Sequence, residues 1–220
     1  MKKFTSPALS GAGRVLVSGG GSGLGAAVVD AVLEAGGTPF VLDRDVRNVS
    51  AAKAIEVDVA DRAAVMAAVT QAAEALGGLD AVVTAAGIDR CGKLEDVPAA
   101  DWERAIFVNL LGPVSPVRAA LPYLKSSGGR VITVASTLGK RALPEASAYC
   151  ASKFGVIGFS QALAAETGTE IGVTTLIPGG MKTRFFDDRA EQYKPQDDSR
   201  LNDPANAAIA RSLVAGSPSW

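Results

Sequence analysis

The sequence contains no histidine. A Ser-His-Asp triad and a histidine-ligated zinc site are therefore excluded whatever the fold, and proton chemistry must use another group. Cysteine is nearly absent: Cys91 and Cys150 are too few for a disulfide framework and read as buried or idle thiols. Neither sign of charge dominates. A formal net charge of −1 gives no electrostatic reason to expect nucleic acid or an anionic membrane as partner. No uninterrupted apolar run approaches the roughly 18 residues that a membrane-spanning helix requires. The opening MKKFTSPALSGAGR carries lysines but no apolar segment of about 7–15 residues, so no secretory signal and a soluble cytoplasmic protein are expected. Nothing in the residues suggests a metal site.

What is abundant is small and aliphatic. Hydrophobic residues make up 48% of the 220 and charged residues 20%, the composition of one globular domain able to bury a core. After a loose tail over 1–13, short Val/Ile/Leu-rich runs alternate with helix-like segments. Strands are expected at RVLVS (14–18), PFVLD (39–43), AIEVD (54–58), DAVVTA (80–85), RVITVAS (130–136) and GVTTLI (172–177). Helices are expected at 24–36, 62–76, Trp102 to Lys125 and 147–167, two of them stopped by Gly36-Gly37 and Gly77-Gly78. Strand alternating with helix predicts an α/β fold: a single Rossmann-type, doubly wound parallel sheet of about six strands. The stretch Arg44 to Lys53 is too short for a full crossover helix. Residues 180–204, with Phe185, Phe186 and Tyr193, read as a flap. No seventh strand is expected after the helical NDPANAAIARSLVAG (202–216), so 14–220 is expected to be one domain.

The first strand runs into SGGGSGLG, which opens a helix. Two spacings coexist there: Gly21, Gly23 and Ala26 fit G-x-G-x-x-G/A, while Gly19, Gly23 and Gly25 fit G-x-x-x-G-x-G. Either suits a pyrophosphate held at a helix N-terminus. Asp43 lies 20 residues after Gly23 (43 − 23 = 20), where a carboxylate holds the adenosine ribose hydroxyls and repels a 2′-phosphate. Ser22 is not basic. These residues favour NAD, although the adjacent Arg44 leaves NADP open.

Tyr149 and Lys153 fall at i and i+4 of one expected helix. A free phenol has a pKa of about 10, and a neighbouring ammonium would favour the phenolate, making a proton carrier for a hydroxyl or carbonyl substrate. Ser136 ends the fifth strand, at the sheet edge where ligands bind.

With these residues the sequence resembles the short-chain dehydrogenases/reductases, from about Arg14 to Ala215. The glycine motif is Ser18 to Gly25, with Gly19, Gly23 and Gly25 as the working set and Ser22 and Leu24 beside the phosphates. Asp58-Val59 resembles the family's adenine-contacting pair. Thr84-Ala85-Ala86-Gly87 stands in the place of N-N-A-G with both asparagines replaced. Pro178-Gly179 and Thr183 resemble the P-G-x-x-x-T segment that meets the nicotinamide carboxamide. The resemblance implies the sheet order 3-2-1-4-5-6 and a catalytic set of Asn109, Ser136, Tyr149 and Lys153. In it Tyr149 is the acid/base, Ser136 orients the reacting oxygen, Lys153 lowers the tyrosine pKa and holds the nicotinamide ribose, and Asn109 positions a relay water. It also implies a homodimer through the helices 102–125 and 147–167, with a tetramer less expected in the absence of a seventh strand.

A substrate space lined by Ile88, Leu138, Leu143, Tyr149, Met181, Phe185 and Phe186 suggests an apolar secondary alcohol or ketone. Lys140 and Arg141 are either a solvated loop edge or contacts for an anionic tail. Two other functions stay open: an NADPH-dependent reductase of 3-oxoacyl thioesters, and a dinucleotide-binding regulatory protein without turnover.

Overall fold

The computed structural model describes residues 12–187, 189, 191–195, 197, 199 and 201–206. Six strands, β1 (Arg14–Ser18), β2 (Thr38–Asp43), β3 (Lys53–Glu56), β4 (Ala81–Thr84), β5 (Arg130–Val134) and β6 (Gly172–Leu176), form one sheet in the order β3-β2-β1-β4-β5-β6. Every pairing is parallel, so all carboxyl ends emerge on one edge. The helices are α1 (Gly23–Glu34), α2 (Arg62–Leu76), α3 (Ala99–Ile106), α4 (Gly112–Ser127) and α5 (Ser147–Thr167).

Alternation along the central strands explains why both faces are apolar. Leu16, Leu42, Val82 and Val131 pack with Val65 and Val69 of α2, Val117 and Leu124 of α4, and Leu163 of α5. The intervening Val15, Val17, Val41, Val83 and Ile132 pack beneath Val28 and Val32 of α1. Each fully buried Val, Leu or Ile stabilises the fold by about 1.5–3 kcal/mol relative to exposure. At its ends α2 is closed by Asp61, whose carboxylate accepts from the Ala64 amide at 3.0 Å, and by Gly77 in the left-handed region at φ 72°.

Several expected boundaries move. The single helix expected over 102–125 starts at Ala99 and is broken by a π turn, Phe107–Leu111. By length and composition the stretch Ala99–Ser127 could cross a membrane, yet half of its most apolar window is buried inside the domain, as in a core helix. Pro113, directly after the π turn, and Pro116 and Pro122 all lie within the continuous helical run and donate no backbone hydrogen bond to it. Ala12 and Gly13, expected in a loose tail, belong to the sheet margin: Ala12 is buried and the Gly13 carbonyl accepts from Thr38 at 2.8 Å. Of the helix expected over 202–216, Pro204–Asn206 form one 3-10 turn; the rest, like 1–11, lies outside the described residues.

Candidate active site

The glycine turn is built by close backbone approaches. Gly19 has φ +77°, and a methyl there would lie 2.4 Å from the Ala86 amide nitrogen, so the Thr84–Gly87 loop rests directly on it. A methyl on Gly25 would come within 1.9 Å of the Gly19 carbonyl oxygen, which fixes how tightly α1 folds back on the turn. Gly21 is equally constrained, since its methyl would meet Asp45 and Asp43. The two glycine spacings are thus both structural. Ser22, the residue before α1, makes no side-chain cap, leaving the first amides of the helix to another acceptor.

Asp43 turns toward this loop: one carboxylate oxygen accepts from the Gly21 amide at 2.8 Å and the other from Asp45 at 3.1 Å. Arg44 beside it is exposed. Asp58 accepts from the Ala60 amide at 2.9 Å and forms an ion pair with Arg104 of α3. Burial works against its charge, but these two donors outweigh burial and hold the carboxyl below its usual range. Val59 is buried against Gly112, where α4 begins.

The expected catalytic residues converge from three elements. Ser136 follows β5 and caps the 3-10 turn Thr137–Gly139, accepting from the Leu138 amide at 3.1 Å, which leaves its hydroxyl hydrogen free. Its hydroxyl acts on the Tyr149 phenol, favouring the ionised form. Lys153 is 4% exposed; its ammonium donates to the Val134 carbonyl at 2.9 Å and lies 5.6 Å from the Tyr149 ring centre. Trp102 donates to Ser147 at 3.0 Å, bracing α3 against the first residue of α5.

Burial dominates the ionisation of this set. Burial pushes the Tyr149 phenol up to about 12, and the Ser136 hydroxyl only partly offsets this. Burial also pushes the Lys153 ammonium down to about 8. A group so deeply desolvated resists ionisation more than its neighbour at this distance assists it. The Asn109 side chain is fully buried and acts as a bracket. Its Oδ1 accepts from the Ile88 amide at 2.8 Å, while Nδ2 donates to the Ile88 carbonyl at 2.8 Å and to Ser152 at 3.3 Å. The π turn aims it inward, joining the β4 exit to α5.

The flap closes over this set. The Thr137 amide donates to the Pro178 carbonyl at 3.0 Å, and Gly179 follows at the flap base. Thr183 caps the turn Arg184–Phe186 and stands against the glycine turn, 3.3 Å from where a methyl on Gly23 would sit. Phe185 packs on Tyr149 with ring centres 5.7 Å apart and reaches down to Gly87. Met181, expected beside the substrate, packs against the α1-side core and pairs its backbone with Asn202. Leu143, Lys140 and Arg141 are exposed, whereas Leu138 and Ile88 are half-buried.

Sequence reasoning missed Asp89 and Arg189, an ion pair between the β4 exit and the flap, with side chains 3% and 18% exposed. Only a buried acid directly after the Gly87-Ile88 step could have signalled it.

A dinucleotide fits these residues. The cradle at Gly19, Gly21 and Gly25 excludes side chains, the first amides of α1 are uncapped, and the hydroxyls of Ser18 and Thr84 lie buried without partners at the carboxyl ends of β1 and β4. The short chain dehydrogenase family model matches residues 14–194. The chain belongs to the short-chain dehydrogenase family. Among its relatives is a 2-dehydro-3-deoxy-L-rhamnonate dehydrogenase (NAD(+)) of Sphingomonas sp. (strain SKA58), 35% identical over 80% of this chain and 75% of that one. D-threitol dehydrogenase of Mycolicibacterium smegmatis is 35% identical over 74% and 68%. A short-chain dehydrogenase of Burkholderia cenocepacia J2315, solved in complex with NADP, superposes with a TM-score of 0.82 at 29% identity, covering 94% and 92%. As a short-chain dehydrogenase the protein is an oxidoreductase that works with a nicotinamide cofactor.

Proposed function

We propose that this short-chain dehydrogenase interconverts a secondary alcohol and a ketone with NAD, and that Tyr149 carries the proton. The supporting observation is the convergence of Ser136, Tyr149 and Lys153 at the carboxyl edge of the sheet, beside the uncapped glycine turn. When bound, the cofactor supplies the hydride chemistry. Tyr149, protonated at neutral pH, is set to give its proton to a carbonyl oxygen, while Ser136 donates to the same oxygen. In the reverse direction the phenol must first ionise, and the Ser136 hydroxyl favours that state. Lys153, fixed by the Val134 carbonyl, keeps a donor beside the ring for a ribose hydroxyl. Asn109 keeps the Gly87-Ile88 floor in place.

Asp43 supports NAD, because its carboxylate beside the glycine turn would accept ribose hydroxyls and repel a 2′-phosphate. NADP is the second reading, favoured by the exposed Arg44 and by the Burkholderia relative. Affinities for both cofactors in the wild type and Asp43→Ala decide between them. The named relatives point to hydroxylated small molecules, and the Phe185 and Phe186 rings to an apolar flank beside the reacting carbon. A panel of secondary alcohols and ketones, followed by nicotinamide absorbance, identifies the substrate. Tyr149→Phe should bind cofactor normally and lose turnover by about a thousandfold; undiminished turnover removes the phenol from the mechanism.

The exposed Phe107, Leu111 and Phe154, each 46% exposed on the π turn and α5, support a homodimer through these helices. A light-scattering mass of one chain at micromolar concentration would refute it.

A further inference from the structure

The order of the strands separates the two ends of a dinucleotide. Ser136 and Tyr149 stand on the β5 side of the carboxyl edge, the glycine turn follows β1, and β2 and β3 lie on the far side of that turn. A pyrophosphate over the turn with the nicotinamide toward Tyr149 would send the adenosine past Asp43, to the exits of β2 and β3. These two exits are joined, since the Val57 amide donates to the Asp43 carbonyl at 2.8 Å. The next residue is Asp58, expected to meet the adenine.

The Asp58 carboxylate is held from two sides. One oxygen accepts from the Ala60 amide at 2.9 Å and the other from the guanidinium of Arg104, a residue 46 positions along the chain. The two side chains are 43% and 35% exposed, so the pair borders the open edge of the sheet. Arg104 arrives on a braced support: in the same helix, α3, Trp102 donates to Ser147 at 3.0 Å and Asp101 faces Arg90 at 3.8 Å. Val59, buried against Gly112, fixes the backbone that carries Asp58.

We infer that Arg104 is a positioning residue for the base of the cofactor, fixing the Asp58 carboxylate as an acceptor for the exocyclic amino group of adenine. The inference rests on the dinucleotide reading of the glycine turn and is independent of the substrate. An ionised carboxylate can only accept hydrogen bonds. It therefore welcomes the 6-amino group of adenine and opposes a base that carries an oxo group there, because two acceptors would face each other. That selection requires the carboxylate to be held. With Arg104 removed, one oxygen keeps the Ala60 amide while the other is free to turn toward water, and the preference for an amino group fades. An ion pair this exposed adds little to the stability of the fold, so its removal is read in recognition rather than in unfolding. Lysine would keep the charge but not the planar fork.

The test is a fluorescence titration with NAD and with nicotinamide hypoxanthine dinucleotide, which carries an oxo group in place of the 6-amino group. The wild type should bind NAD about tenfold more tightly than the analogue. Arg104→Met should weaken NAD about fivefold and leave the analogue within about twofold, so that the ratio collapses. Asp58→Ala should bring the two cofactors to equal affinity, and Arg104→Lys should keep about half of the wild-type ratio. A staple that merely joins α3 to the β3 exit would weaken both cofactors alike, and an unchanged ratio in Arg104→Met overturns the inference. So does a wild type that binds both equally. A wild type that binds neither overturns the dinucleotide reading itself.

Discussion

The glycine turn and the flap lie at the same edge of the same sheet, and both lack long regular elements. They are held by different means. The turn is fixed by backbone atoms meeting where no side chain fits, between residues that are neighbours in sequence or in adjacent strands: Gly19 on Ala86, Gly25 on the Gly19 carbonyl. The flap is fixed by side chains from distant positions, Arg189 on Asp89 and Phe185 on Tyr149. A backbone-built cradle has one conformation and cannot be adjusted. Contacts between side chains from distant positions can be removed one at a time by substitution, whereas the backbone contacts of the cradle cannot.

Four changes would break or sharpen that contrast, in decreasing order of effect. Gly19→Ala places a methyl into the Ala86 amide at a positive φ, so cofactor affinity should fall by at least about a hundredfold in a fluorescence titration. Wild-type affinity would mean that the cradle yields. Asn109→Ala leaves the Ile88 backbone without its bracket and should cost about 2 kcal/mol in urea unfolding. Phe185→Ala should leave cofactor affinity within about twofold of wild type while raising the substrate KM about fivefold. An equal loss of both would show that the flap serves the cradle as well. Arg14→Met is a control at the opposite edge. Asp80, held below the usual carboxylate range chiefly by its hydrogen bond with Arg14, contributes stability above about pH 4 that is lost as pH falls through its folded value. Wild type and variant should therefore differ in urea midpoint near neutrality and converge in acid.

The cradle was far more legible in the sequence than the flap contacts, for the same physical reason. Glycines that make room for backbone must stand at fixed short spacings, and Tyr149 and Lys153 share a helix face through four residues of local geometry. The strands showed themselves because β-branched runs buried on both faces leave few alternatives; β1 and α2 fall on the expected residues. The Asp89–Arg189 pair depends on a contact across a hundred positions, and no local pattern marks either member. The burial of Tyr149 is not legible in the sequence, because desolvation depends on the depth of a cleft, which spacing on one helix does not report. Asn109 was found through its place in a motif, yet the use of its amide depended on a π turn that the sequence does not announce.

That turn has a consequence beyond aiming one amide. A regular helix advances about 100° per residue, so an extra residue in one turn offsets everything downstream by roughly a quarter of a circle. Above the offset, α3 answers to α5; below it, α4 answers to α2. Wound as a regular α-helix with all of its residues kept, 107–111 would carry Val117, Ala120 and Leu124 about a quarter of a circle away from the core they now fill. The irregularity is what lets one rod serve two neighbours with incompatible phases, and smoothing it would unseat the whole layer.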